Sequence, residues 1–201
     1  MPKKKKPKTW YGKIWYFLWH DNSTISWIIN IILAYLIIKF IIFPGIGLLF
    51  GTSTPVVSVI SSSMEHNEQF DQWWAENEEY YSSLNITKAD FEEFPFKNGF
   101  SKGDVIVLFG KNPEDIIIGD VIVFKSRTPE PYIHRVIKKE YTSEFVFQTK
   151  GDNNNAPLRN SEIDETKILE NQILGRAALR IPWLGYIKIG IFELVKKTGL
   201  L

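Results

Sequence analysis

The sequence predicts a mostly β domain behind one N-terminal membrane-spanning helix. Residues 25–43 read ISWIINIILAYLIIKFIIF, almost wholly apolar. Beyond Gly51 come short β-branched runs set off by Gly-Asp and other turn residues. An acidic, aromatic block with helical spacing interrupts them after the first run.

The apolar run is long enough to cross a bilayer, about 28 Å at roughly 1.5 Å per helical residue. Asn22, Ser23 and Thr24 are candidate N-caps, and Pro44-Gly45 a stop signal. Lys39 lies inside the run, placed to snorkel to the far interface. Trp10, Tyr11, Trp15, Tyr16 and Trp19 suit an interfacial belt on the near side. The run exceeds a signal-peptide h-region and no A-x-A-like cleavage site follows it, so a retained anchor is expected. Lys3, Lys4, Lys5, Lys6, Lys8 and Lys13 precede it, which predicts a cytoplasmic N-terminus. The expected organisation is a basic and interfacial segment (1–24), a transmembrane anchor (25–50) and an extracytoplasmic domain (51–201), with a helical insertion at 67–100.

The net charge of +1 gathers its lysines at one end and leaves the remainder mildly acidic, which argues against nucleic-acid binding. With no cysteine, disulfides, thiol catalysis and thiolate metal sites are excluded. His20, His66 and His134 lie in unrelated segments without ligand spacing, so no metal and no cofactor is expected.

TPVVSVI, residues 54–60, predicts a strand running into Ser61, Ser62, Ser63 and Met64. In the insertion, Phe70, Trp73, Trp74 and Asn77 fall at helical spacing and serve equally for packing onto the core or for substrate contact. DVIVLF after Gly103 and DVIVFK after Gly119 read as paired strands. YIHRVIKKEY and EFVFQTK read as a hairpin about Thr142 and Ser143. The last apolar stretch, 187–195, is too short for a second span. Asn85-Ile86-Thr87 forms a glycosylation sequon.

Acyl transfer by serine needs a nucleophile, a base, a group that orients the base, and donors for the oxyanion. Ser63 stands at a strand-to-turn junction, and Ser61 shares its face if the strand persists. His134 supplies an imidazole within a β run. Asp152, in a turn, is a candidate for fixing its tautomer. Singly, each has an ordinary structural alternative: a solvated loop serine, a structural strand histidine, a simple turn.

Read together and in order, these segments resemble the signal peptidase I family, in its archaeal and endoplasmic-reticulum branch. The resemblance rests on an anchor, a Ser-x-Ser-Met box at Ser61 to Met64, Gly103-Asp104 and Gly119-Asp120, His134-Arg135-Val136, Thr149 to Asn153, and PWLGYI from Pro182. It covers roughly residues 25–66 and 101–190 and leaves the insertion outside. It implies a nucleophile at Ser63, an oxyanion hole from Ser61 and Ser63, a His134 base in place of the bacterial lysine, and Asp152 as the family aspartate. The implied activity is removal of signal peptides from secretory preproteins at the outer face of the cell membrane, or in the reticulum lumen of a eukaryote, in association with the export channel. Small residues are implied one and three positions before the cut, with Val57 to Val59 as a pocket wall or as plain core.

Three positions depart from the family pattern. Ser62 replaces the box glycine. His66 replaces a proline and becomes a rival base. Leu158 stands where a second aspartate is expected, with Glu162 or Asp164 as auxiliary carboxylates. The alternatives are an inactive membrane-tethered scaffold of this fold, or a related peptidase with other substrates.

Overall fold

The computed structural model describes residues 9–186 and Gly190. The lysines ahead of Thr9 and, bar Gly190, the 187–195 stretch lie outside them. Two compact units divide the chain, residues 1–46 and 47–201.

In the first unit, α1 (Trp10–His20) and α2 (Thr24–Ile37) form a helical pair. Ser23 is the cap, its side chain accepting from the Ser26 N–H. Ser26 Oγ donates to the Phe17 carbonyl at 2.7 Å and Asn30 Nδ2 to that of Leu18 at 2.9 Å. These bonds satisfy carbonyls in the last turn of α1, which have no following helical N–H to accept from. Pro44-Gly45 does not stop the helix, contrary to expectation: a π turn (Ile38–Ile42) leads into α3 (Phe43–Phe50), and 24–50 is one apolar helix of 27 residues. Pro44 lacks an N–H and its ring would crowd the carbonyl four residues back. The π turn, in which the Phe43 N–H reaches the Ile38 carbonyl, relieves that crowding.

The second unit is a curled, antiparallel seven-stranded sheet: β1 (Val56–Ser58), β2 (Val105–Phe109), β3 (Val121–Phe124), β4 (Tyr132–Tyr141), β5 (Phe145–Lys150), β6 (Ile168–Leu169) and β7 (Ile173–Ile181). Their order is β1-β2-β7-β3-β4-β5-β6. The expected hairpin is present as β4 and β5. The two Gly-Asp strands are not partners of each other, because β7 enters between them and pairs with both. Their echo reflects equivalent turns instead: Asp104 accepts from the Ser101 N–H and Asp120 from the Ile117 N–H. Arg180 and Arg176 of β7 then pair with these two aspartates at 2.7 and 2.9 Å.

One apolar cluster joins β1, β2, β3 and β7 through Val57, Ile106, Leu108, Val123 and Ala177, with Val59, Met64 and Phe100 packed among them. A second lies under β3 to β6, around Ile122, Phe124, Val136 and Phe147. The insertion folds as α4 (Phe70–Ser83) and α5 (Lys88–Glu92), the latter opened by a Thr87–Asp90 capping box. Its Trp73, Trp74, Tyr81, Ile86 and Phe91 bury themselves together with Ile137 of β4. The aromatic face is therefore packing between insertion and sheet.

Candidate active site

Strand alternation sorts the functional side chains of β4. Arg135 and Ile137 face the insertion, whereas His134 and Val136 face the other way. In a flat sheet the four spacings from β1 to β4, about 4.8 Å each, would hold these strands about 19 Å apart. The sheet curls, with register shifts in the β2/β7, β3/β7 and β4/β5 pairs that sharpen the bend. The turn after β1 is thereby carried to His134. Ser63 Oγ lies 2.9 Å from His134 Nε2, and Ser61 Oγ 3.1 Å from Ser63 Oγ.

The imidazole is 2% exposed, with the rings of Phe124 and Tyr132 edge-on to it. Its Nδ1 lies 2.5 Å from Oε1 of Glu165, a residue the sequence reading did not single out. Glu165 is fully buried and its oxygens are filled. Oε1 also accepts from Thr149 Oγ1 at 2.8 Å, and Oε2 from the Leu158 N–H at 2.6 Å. A carboxylate only accepts, so His134 donates from Nδ1 and its Nε2 is left to accept from Ser63.

Asp152 does not reach His134. Its oxygens take Arg135 Nε at 2.9 Å, Arg135 Nη2 at 2.6 Å and His66 Nε2 at 3.1 Å. Burial alone would raise the Asp152 carboxyl, but the guanidinium beside it, and then His66, outweigh burial and hold it well below the usual carboxylate range. His66 is thus tied to Asp152 rather than poised beside Ser63 as a rival base. Glu162 is exposed, and Asp164 binds Thr166 and Arg159, so neither auxiliary carboxylate meets His134. Ile163 and Glu165 are buried, whereas Glu162 is exposed and Asp164 half-buried; Glu165 lies in a turn, where no periodicity in the sequence sets it apart from those two carboxylates.

The 151–153 turn closes on the serine. The Asn153 N–H donates to the Ser63 carbonyl at 2.8 Å, and Asn153 Nδ2 to that of Ser62 at 3.1 Å. A Cβ on Gly151 would come within 2.7 Å of the Ser63 carbonyl oxygen and 3.0 Å of His134 Nε2, so only glycine permits this approach. Ser62 is not among the positive-φ residues, which explains how a side chain is accommodated there. Beside Ser61 and His134 opens a cavity of about 280 Å³ lined by Ser58, Ile60, Pro131, Tyr132 and Ile133. Val57 and Val59 pack inward instead, so they are core rather than pocket wall. Among the described residues no cluster of three or more His, Asp or Glu side chains is arranged to hold a metal.

No family model matches the chain. It is similar to the signal peptidase complex catalytic subunit SEC11C of Canis lupus familiaris, 28% identical over 152 residues, which are 74% of this chain and 62% of that protein. It is similar to the SEC11 subunit of Scheffersomyces stipitis at 26% identity over 167 residues, 81% of each chain. A third match, to SEC11 of Metarhizium acridum, is 31% identical over 98 residues, 47% of this chain and 57% of that protein. The chain therefore spans less than two thirds of the length of the mammalian relative. Its homologues are signal peptidase complex catalytic subunits, the endoplasmic-reticulum type of the signal peptidase I family, at modest identity over much of the chain.

Proposed function

We propose that the chain is a membrane-anchored serine endopeptidase that removes N-terminal signal peptides from exported preproteins. The observation that carries this reading is the continuous path from Ser63 Oγ through His134 to Glu165, at 2.9 and 2.5 Å. His134 Nε2 takes the Ser63 proton as Oγ adds to the scissile carbonyl carbon, and Glu165 stabilises the imidazolium and fixes its tautomer. The oxyanion is met by the Ser63 N–H and the Ser61 hydroxyl. Collapse breaks the C–N bond, with His134 returning its proton to the leaving amine. Water, deprotonated by His134, then hydrolyses the acyl-serine and regenerates the hydroxyl.

The substrate enters extended along β1, at the edge of the sheet, where its main chain pairs with a strand and alternate side chains meet one wall. Ser58 and Ile60, two residues apart, line the cavity next to Ser61 and restrict the residues before the cut to small ones. The anchor holds the domain at the outer surface, its lysine-rich terminus in the cytoplasm, where a preprotein's own span delivers the cleavage site. Association with an export channel serves the same delivery.

Co-expression with a tagged preprotein tests the reading. A shortened product with the wild-type chain, absent with Ser63→Ala, is expected. Folded wild-type protein that leaves the preprotein intact favours the inactive-scaffold alternative. Protease added to sealed cells tests the orientation, with loss of the C-terminal domain expected.

A further inference from the structure

The insertion touches the candidate site through groups that the acyl-transfer reading leaves unused. Arg135, next to His134 and fully buried, uses all five of its N–H donors. Two go to Asp152 and one to the Gly119 carbonyl. The other two go to the Pro95 and Phe96 carbonyls of the insertion at 2.8 and 2.9 Å. Its guanidinium carbon stands 4.6 Å over the Phe91 ring of α5.

His66 makes the second link. Its ring lies flat on Trp73 of α4, with centroids 3.8 Å apart and planes 7° from parallel, while Nε2 meets Asp152. The side chain is only 2% exposed. Its position is reinforced by Gly99 at the exit of the insertion, where a Cβ would fall 2.2 Å from the Met64 carbonyl oxygen and 2.7 Å from His66 Cδ2. A third link runs through Lys150, whose Nζ donates to Tyr81 of α4 at 3.4 Å and to the Gly151 and Asp152 carbonyls at 3.2 and 3.3 Å. All three end on the 151–153 turn, whose other side holds Ser62 and Ser63.

We propose that the 67–100 insertion is a positioning element for the catalytic serine, and that His66 is the positioning residue through which α4 fixes Asp152 and hence the turn that seats Ser63 against His134. The inference deepens the peptidase reading above and rests on it. Arg135 holds Asp152 from β4, and Asn153 ties the turn to the Ser62 and Ser63 carbonyls. His66, three residues from Ser63 along the chain, adds the link from α4 to the same carboxylate.

Two substitutions separate positioning from packing. His66→Phe keeps the aromatic stack on Trp73 and removes the donor to Asp152, whereas His66→Gln loses the stack and restores a donor at similar reach. With the full-length chain and one tagged preprotein, His66→Phe is expected to lower kcat about ten- to a hundredfold with KM unchanged, the scale of a small misplacement at a reacting centre. His66→Gln recovers most of that loss, although it is the less stable of the two. Proton NMR of the full chain in detergent adds a readout besides activity: the His134 Nδ1–H resonance shifts or broadens in His66→Phe and returns in His66→Gln. Wild-type kcat in folded His66→Phe, or an equal loss of kcat in folded His66→Gln, overturns the proposal. Should wild-type protein cleave nothing, the peptidase reading fails, and an NMR signal indifferent to both substitutions then overturns the positioning role separately.

Discussion

Glu165 Oε1 stands 2.5 Å from Nδ1 of His134, while its Oε2 accepts from the backbone N–H of Leu158. The two residues are cross-braced, since the Glu165 N–H also donates to the Leu158 carbonyl at 2.9 Å. Where the family resemblance leads one to expect an aspartate, this chain offers a backbone donor that holds a carboxylate arriving from seven residues further on. The apolar Leu158 side chain packs against the cluster of Ile122 and Phe147.

Glu165→Gln is accordingly expected to cost roughly 10³–10⁴ in kcat, the scale seen when a triad histidine is left in the wrong tautomer. Glu162→Gln and Asp164→Asn should stay within about twofold of wild type, as surface changes do. Steady-state cleavage of one preprotein by the three variants distinguishes them. A silent Glu165→Gln would leave His134 without its orienting partner.

On the proposed mechanism, Ser61→Ala is expected to reduce kcat by about 10²–10³ without abolishing cleavage, because it would remove one oxyanion donor and leave Ser63 and His134 in place. Measuring it beside Ser63→Ala checks the division of roles. Equal, complete loss in both variants would mean that Ser61 does more than stabilise charge.

What could be read from the residues follows the range of the interactions involved. The long apolar helix, the β4–β5 hairpin, the helicity of α4 and the nearness of Ser63 to a strand end are local patterns of composition or of period 2 or 3.6. The insertion of β7 between β2 and β3 was not legible, since the repeated Gly-Asp turn records a local hydrogen bond and carries no information about which strand pairs with which. Helix continuity through Pro44 was missed because the π turn that tolerates it has no composition signal. Asp152 drew attention as the aspartate of a Gly-Asp-Asn turn, yet Arg135 and His66 come to it from 17 and 86 residues away and occupy both its oxygens. Glu165 lay hidden beside two neighbouring carboxylates, Glu162 and Asp164, in a turn where no local periodicity distinguishes the inward one.

Asp152→Asn should cost stability in addition to the loss of kcat that follows when the turn beside Ser63 is no longer held. Removing one partner of a buried ion pair leaves the Arg135 charge uncompensated, a loss of about 3–5 kcal/mol. The Asp152 carboxyl is held low in the fold, so its contribution is fully present above the unfolded value near 4 and fades as pH falls through the folded value. Urea denaturation of both proteins at pH 7 and pH 3 tests this, with the gap expected to narrow at the lower pH. A gap that does not change with pH would remove the ion pair as its cause.

Lys150 predicts a rise of stability with pH as well, but in an alkaline window. Burial lowers its ammonium to about 8, a pull that the charges of Asp152 and Glu165 only partly offset. The unfolded chain, with lysine near 10.4, then binds more protons than the native one between these values, so stability rises with pH across that window. Below about pH 8 the cost of the buried charge is present in full, and it is relieved as the native amine deprotonates. Tyr81 is pushed above its usual range, by burial first, and does not titrate in the same interval. Lys150→Met removes the titrating group while keeping an unbranched chain under the Tyr80 and Tyr81 rings. Denaturation midpoints at pH 7 and pH 9.5 should therefore climb for wild type, by the equivalent of about 1–3 kcal/mol, and stay level for the variant. Parallel curves for the two proteins would show that the ammonium enters the fold without an electrostatic cost.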